Sequence, residues 1–297
     1  FVPTEVTEIN KKISFPIEAK IPINDILFSS GGGGTNTAAC LSKLGLKVGF
    51  IGKIGSEINS RIIFRDLKKF KVDFLGARTK DNTGYSIILR SKNKHRTILT
   101  YRGVNNKLKF SDINLKKLKT KWLHFTSMRD DSFETQKKLV DFAIKNNIKI
   151  SFNPGIYHIK KGVSYILKIL KNTHVLSMNL EEAGALGGLK LPVRDLFKKL
   201  HKFGPKIICI TNGSDSGWVS SGSYTYKFTP HKIKVVESTG AGDSFVASFI
   251  AGLVKFNNIE KAIKLAIINS ESVIKEIGAK NGLLSMNEAL NKIKNER

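Results

Sequence analysis

The sequence reads as an α/β protein: a parallel sheet covered by helices on both faces, with a small additional β-sheet standing off that core. Two observations carry this. From about residue 45 onward, short apolar runs alternate with segments of helical period, the pattern of strands joined by crossover helices. Two stretches, 1–30 and 83–101, break that alternation and offer no crossover helix. A chain of 297 residues, 41% hydrophobic, is long enough for one large domain and a minor appendage.

Residues 1–30 contain KKISFPIEAKIPINDILFSS, with short alternating runs and prolines. A helix is expected over Ala38–Leu44, closed by Gly45 as its C-terminal cap. LKVGFIG (46–52) reads as a strand and Ser60–Lys69 as a helix. TGYSIILRSKNKHRTILTY (83–101) reads as two strands around a polar turn at Ser91–His95. WLHFTSM (122–128) is a strand, Ser132–Asn146 a helix, and IKISFNP (148–154) a strand running into a Pro-Gly turn. A helix near Val163–Leu170 leads to the strand HVLSMN (174–179). Helices around Leu180–Leu186 and Val193–Phe203 precede the strand KIICITNG (206–213), and 217–236 is a further hairpin region. On this reading 29–82 and 102–297 form the core, and 1–28 with 83–101 the separate small sheet.

Composition narrows the function classes. No apolar run approaches the roughly 18–20 residues needed to span a bilayer, and there is no secretory apolar segment, so no membrane partner is expected. Cys40 and Cys209 lie far apart in apolar segments and read as reduced core residues, which points to the cytoplasm. The six histidines show no metal-ligand spacing. The net charge of +26 would let a summed field attract nucleic acid. Yet Arg supplies 9 of the 50 basic residues, leaving 41 Lys, whereas base readout and bidentate phosphate grip favour Arg. The lysines are spread evenly, as in LKKFK, LKKLKTK and LFKKLHK, where they fit the wet faces of amphipathic helices. Nucleic acid is not an expected partner.

Two glycine-rich segments carry chemistry. Gly31-Gly32-Gly33-Gly34-Thr35-Asn36 precedes a helix. Such backbone passes close to a ligand because no Cβ intervenes, and Asn36 offers a donor and an acceptor to a hydroxyl-bearing molecule. It is neither a Walker A loop nor GxGxxG, and by itself it is equally a flexible turn. Glu237-Ser238-Thr239-Gly240-Ala241-Gly242-Asp243 follows an apolar run and opens a helix whose buried stripe is Phe245, Val246, Phe249, Ile250 and Leu253. Gly240 to Asp243 therefore sit at a helix N-terminus, where unpaired N–H groups and the helix dipole hold an anion. Asp243 beside that site can accept a proton from an attacking hydroxyl. The alternative, an Asp that only caps its helix, does not call for the two glycines before it.

At these residues the chain resembles a known family. STGAGDSFVASFIAGL (238–253) closely matches the C-terminal signature of the ribokinase-like (PfkB) carbohydrate kinases, and GGGGTNTAACLSKLG (31–45) matches the N-terminal one. Asn179-Leu180-Glu181-Glu182 resembles the family's N-x-x-E motif, and Thr211-Asn212-Gly213 its T-x-G nucleotide contact. The likeness covers nearly the whole chain. It implies a three-layer α/β/α, Rossmann-like core with a mostly parallel sheet and a small β-sheet lid over the sugar site. Two departures stand out. Glu237-Ser238 occupies the place of an aspartate-first variant, which bears on any monovalent cation nearby. Family members also begin with a strand ending in a substrate-binding Asp, which is not found in residues 1–25. Position 1 is Phe rather than Met; either the native start lies upstream or that contact is absent, and no sugar-binding Asp is assigned.

The resemblance implies an ATP- and Mg²⁺-dependent phosphotransferase acting on a sugar-like hydroxyl. Gly31, Gly32 and Asn36 are expected to hold the acceptor, Asp243 to take its proton, and the N–H groups of Gly240, Ala241 and Gly242 to stabilise the phosphoryl group in transfer. Glu182, with Asn179, is expected to hold Mg²⁺ through water. Thr211 and Gly213 fall on the nucleotide side, and Asn269 and Val273 are candidates for the adenine pocket, with ordinary helix packing as their alternative. A nucleoside acceptor remains open, as does a non-catalytic nucleic-acid-binding relative, against which the intact Gly-Ala-Gly-Asp stands. The small sheet is expected to expose one apolar face, with Ile87, Leu89, Ile98 and Tyr101 on it, and to form a homodimer there.

Overall fold

The computed structural model describes every residue except 1, 4–6, 10–11, 15–16, 24–25, 91–95, 190 and 296–297. The expected polar turn at Ser91–His95 lies outside the described residues. Val2–Pro3 (β1), Thr7–Ile9 (β2) and Lys12–Ser14 (β3) precede helix Gly33–Lys43 (α1). Gly49–Phe50 (β4), Lys53–Ile54 (β5), helix Ser60–Lys69 (α2), Asp73–Phe74 (β6) and Ala77–Arg78 (β7) follow. β4 pairs β6 and β5 pairs β7, both parallel, and hydrogen bonds from Asp73, Leu75, Ala77 and Thr79 make them one continuous ladder. Thr83–Arg90 (β8) and Arg96–Gly103 (β9) form an antiparallel pair to which β1 adds.

The second half holds the main sheet. Its elements are Trp122–Phe125 (β10), helix Asp130–Lys145 (α3), Lys149–Phe152 (β11), helices Gly155–Lys160 (α4) and Val163–Lys171 (α5), and Thr173–Asn179 (β12). Helices Leu180–Gly187 (α6) and Val193–His201 (α7) lead to Ile207–Thr211 (β13), Gly217–Ser220 (β14) and Thr225–Phe228 (β15). Ala241–Phe256 (α8), Ile259–Ile274 (α9) and Met286–Asn295 (α10) complete the chain. The strand order is β10-β11-β12-β13-β14-β15, parallel through β13 and antiparallel in the last hairpin.

Strand periodicity sorts the core into two layers. Leu176, Met178, Ile208 and Ile210 point to the side covered by α3, α5, α6 and α7, through Phe133, Val140, Ile169, Leu186 and Leu200. Their neighbours Val175, Ile207 and Cys209 point the other way, onto Phe245 and Phe249 of α8 and Ala262 and Ala266 of α9. Such alternation follows from the period of two, and each fully buried Ile or Leu contributes about 1.5–3 kcal/mol. α8 and α9 lie so close that a Cβ on Gly252 would come within 2.6 Å of the Ala262 Cα.

β10 is one edge of the main sheet and β15 the other. β10 faces the Lys47–Ile54 segment across a cavity of about 1750 Å³, which also reaches Gly31–Gly34, Arg102 and Asn105. Among the described residues no helix is long and apolar enough to cross a membrane, and both cysteines are buried and unbridged.

Two expectations are corrected. Helix α1 begins at Gly33, not Ala38, because the Asn36 N–H already bonds the Gly32 carbonyl at 3.1 Å. In the small sheet Ile87 pairs with Leu99 and Tyr85 with Tyr101, whereas Ile98 pairs with Ile88. Ile98 therefore faces away from Ile87, Leu89 and Tyr101, and the apolar face is Tyr85, Ile87, Leu99 and Tyr101, each 41–52% exposed.

Candidate active site

The site forms at the carboxyl ends of the parallel strands, where ligands of open α/β sheets bind. Asn179 ends β12 and pairs with Thr211 at the end of β13. Asn179 and Glu182 close a capping box over α6: Glu182 N–H donates to Asn179 Oδ1 at 2.7 Å, and Asn179 N–H to Glu182 Oε2 at 3.1 Å. Burial pushes the Glu182 carboxyl above its usual range, against the pull of the Asn179 and Ile156 N–H groups. Gly213, just beyond β13, sits in the left-handed region at φ 59°.

The N-terminus of α8 is built on two glycines of different kind. Gly240 is left-handed at φ 84°, and a Cβ there would meet Ala279 at 2.7–2.9 Å. Gly242 has open space around it, with no atom within 4 Å of a built Cβ. Ala241 N–H turns back to Ser238 O at 3.3 Å. The first-turn donors of Gly242 and Asp243 are the ones that helix geometry leaves without an intrahelical partner.

Asp243 meets α1 across this junction. Asn36 Nδ2 donates to Asp243 Oδ2 at 2.8 Å. On the other side, a Cβ on Gly33 would lie 3.2 Å from Asp243 Oδ1 and 3.1 Å from Thr126 Cγ2. A side chain at Gly33 would have to push Thr126 or the carboxylate aside by a few tenths of an ångström. Burial raises the Asp243 pKa, while the Asn36 bond and the charge of Lys280 pull it down.

The chain thus brings Gly31, Gly32, Asn36, Gly240, Ala241, Gly242 and Asp243 together at one junction, and Asn179, Glu182, Thr211 and Gly213 at neighbouring strand ends. Gly31 and Gly32 are exposed with open space beside them. Asn36 is 5% exposed and both ends of its amide are already engaged, so a direct grip on the acceptor is not what its geometry offers. Asn269 and Val273 are not brought to the site: both are fully buried. The Asn269 amide donates to Ser248 Oγ at 2.8 Å and accepts from Leu284 N–H at 3.0 Å, a core role.

Sequence reading missed Gly33, Thr126 and Lys280. Gly33 lay within the quoted motif but looked interchangeable with its neighbours. Lys280 had no signal at all, being one lysine among 41.

A family model described as pfkB family carbohydrate kinase matches residues 6–286. An uncharacterized sugar kinase of Archaeoglobus fulgidus is 31% identical over 250 residues, covering 82% of this chain and 97% of that protein. An ATP-dependent 6-phosphofructokinase of Thermoanaerobacterium thermosaccharolyticum is 26% identical over 259 residues, covering 84% and 80%. Among solved structures, a candidate ribokinase II from E. coli in complex with ATP and Mg²⁺ superposes with a TM-score of 0.83 at 19% identity, covering 99% of this chain and 96% of that one.

Proposed function

The chain belongs to the pfkB family of carbohydrate kinases, and from that membership we propose that it transfers the γ-phosphoryl group of ATP to a hydroxyl of a sugar or sugar-like acceptor, with Asp243 as the base. The observation that carries this reading is the junction of α1 and α8. A carboxylate held at 2.8 Å by Asn36 stands beside a helix N-terminus with open space at Gly242. The acceptor oxygen attacks the γ-phosphorus, the bond to the bridging oxygen breaks, ADP leaves, and the hydroxyl proton passes to Asp243. Of the expected donors Gly240, Ala241 and Gly242, Gly240 is the cap before α8 and the Ala241 N–H is turned to Ser238 O, so it is the Gly242 and Asp243 N–H groups that are proposed to face the charge building on the phosphoryl oxygens. Gly31 and Gly32 border the acceptor, Thr211 and Gly213 the nucleotide, and the small β8–β9 sheet serves as a lid.

Bound Mg²⁺ would neutralise nucleotide phosphate oxygens, with Glu182 and Asn179 holding its waters. The fit is reasonable, because the capping box leaves lone pairs on the Glu182 carboxylate. Glu237 Oε2 accepts from Gly278 N–H at 2.9 Å while Oε1 is buried without a partner. That orphaned oxygen fits a monovalent cation despite the longer side chain.

Arg102 lines the cavity, and burial together with the nearby Arg129 charge lowers its pKa. Among the described residues neither guanidinium is paired with a carboxylate. Arg129 stacks on the Tyr157 ring at 3.8 Å and is not among the cavity-lining residues, so it is Arg102, on the cavity wall, that favours acceptors carrying an anionic group. The test is ADP release from ATP across sugars, sugar acids, sugar phosphates and nucleosides, with Asp243→Asn as control. The control should lose about 10²–10⁴-fold in kcat while still binding ATP. An Asp243→Asn variant keeping more than about half of wild-type kcat would sink the assignment.

A further inference from the structure

Outside the residues assigned so far, one buried charge stands out. Lys280 follows α9 in the loop whose Ala279 packs on Gly240, and its side chain is 7% exposed. Its ammonium lies 2.7 Å from Ser30 O, 2.6 Å from Ser30 Oγ, and 3.3 Å from both Thr35 Oγ1 and Asn36 Oδ1. Asp66 Oδ2 is 3.8 Å away and also accepts from Ser30 Oγ at 2.7 Å. Every one of these contacts except Asp66 belongs to the segment that opens α1.

We propose that Lys280 is a positioning residue for phosphoryl transfer: its buried ammonium fixes the orientation of the Asn36 amide, and through it the Asp243 carboxylate. This rests on Asp243 being the base. An ammonium has three donors and no acceptor, so it selects the oxygen end of the amide. The NH₂ end is then left to face Asp243 Oδ2, which as a carboxylate can only accept. Reversing the amide would set NH₂ against ammonium and oxygen against carboxylate, two repulsions in place of two bonds. With Oδ2 held from the Asn36 side, Oδ1 is the oxygen beside Gly33, at the mouth where that residue lines the cavity.

A buried ammonium is costly to desolvate and is often replaceable by an apolar residue without loss of stability. Stability alone therefore does not call for it here. The charged groups facing it are Asp66 and Lys69 from α2 and Asp243 from α8, and Cys40 of α1 feels Asp243. Burial lowers the Lys280 pKa to about 8, against the pull of Asp66 and Asp243. It is thus still largely protonated at neutral pH. Its charge in turn holds Asp243 down.

The test is Lys280→Met beside Lys280→Arg, read as the pH profile of kcat/KM for the acceptor and as the titration of the Asp243 carboxyl carbon by NMR. Loss of the charge should move the acid limb and the NMR midpoint up together by about one pH unit, so that kcat/KM on the acid side of the limb falls about tenfold. Lys280→Arg should restore the limb. An unmoved midpoint in Lys280→Met overturns the proposal. A moved midpoint with an unmoved limb upholds the positioning and refutes Asp243 as the base, so the two readings fail separately. Should Lys280→Met not fold, Asp66→Asn carries the test. Without that carboxylate Lys280 loses its proton at lower pH, and the alkaline fall in activity should move down; an alkaline limb that stays in place overturns the proposal.

Discussion

The two glycines of the α8 N-terminus are expected to fail in opposite ways. Gly240→Ala forces a side chain into φ 84° and sets a methyl 2.7–2.9 Å from Ala279. A left-handed non-glycine residue costs about 1–2 kcal/mol, and overpacking against backbone about 1–3 kcal/mol more. The sum, about 2–5 kcal/mol, is a large share of a domain's net stability. Gly242→Ala meets nothing within 4 Å. Its conformational gain on leaving glycine in a helix is about 0.5 kcal/mol or somewhat more. The protein should therefore be as stable as wild type or slightly more so. Its methyl would nonetheless occupy the space proposed for the phosphoryl group, and turnover should fall at least about tenfold. Denaturant unfolding and ATP turnover on the same preparations separate the two. The reasoning fails if Gly242→Ala turns over at the wild-type rate, or if Gly240→Ala is no less stable than Gly242→Ala.

The apolar face of the small sheet should seat a second copy of the chain: sedimentation at micromolar concentration is expected to give a dimer, and Leu99→Lys, in the middle of that face, a monomer. A monomeric wild type, with and without substrate, would end this idea. Acid sensitivity should come in part from His124, whose burial lowers its pKa to about 4 while its Nδ1 meets Ser151 Oγ at 2.8 Å. The unfolded chain takes up that proton near pH 6.5 and the folded chain does not until about pH 4. The contribution is therefore present above pH 6.5 and is lost as pH falls through about 4, by about 3 kcal/mol in all. His124→Gln should flatten the fall measured by denaturant titration between pH 7 and 4.5; an unchanged slope would count against this cause.

The sequence carries the layered core more clearly than the start of α1. Ser60–Lys69 is legible to the residue because helix-compatible positions run unbroken from Ser60 and the chain turns at Lys71, φ 52°. The first turn of α1 is illegible for the converse reason. Gly33 and Gly34 each oppose a helix by about 1 kcal/mol on propensity, and what installs them is tertiary. A Cβ on Gly34 would lie 2.9 Å from the Phe50 ring, and one on Gly33 would press on Asp243 and Thr126. Periodicity also assigns β8 and β9 to a hairpin without fixing their pairing. A register shift of one residue flips faces, which is how Ile98 comes to be grouped with residues on the opposite side.

Asn36, Asp243 and Lys280 show a different limit. Asn36 and Asp243 lie 207 residues apart and Asn36 and Lys280 lie 244 apart, yet the three form one chain of hydrogen bonds. Asn36 and Asp243 stand in segments whose composition announces a ligand. Lys280 stands in Gly-Ala-Lys-Asn-Gly, which announces only a turn. The motif marks Asp243 as the candidate proton acceptor, because a carboxylate after Gly-Ala-Gly stands at a helix N-terminus that can hold an anion. The pH at which that carboxylate works depends on groups that no local pattern marks. Burial raises its pKa, and an amide and an ammonium from two other parts of the chain lower it. If Asp243 is the base, the position of its acid limb is set by the amide and the ammonium as much as by the signature, so a change where Lys280 stands should move the limb while leaving the signature intact.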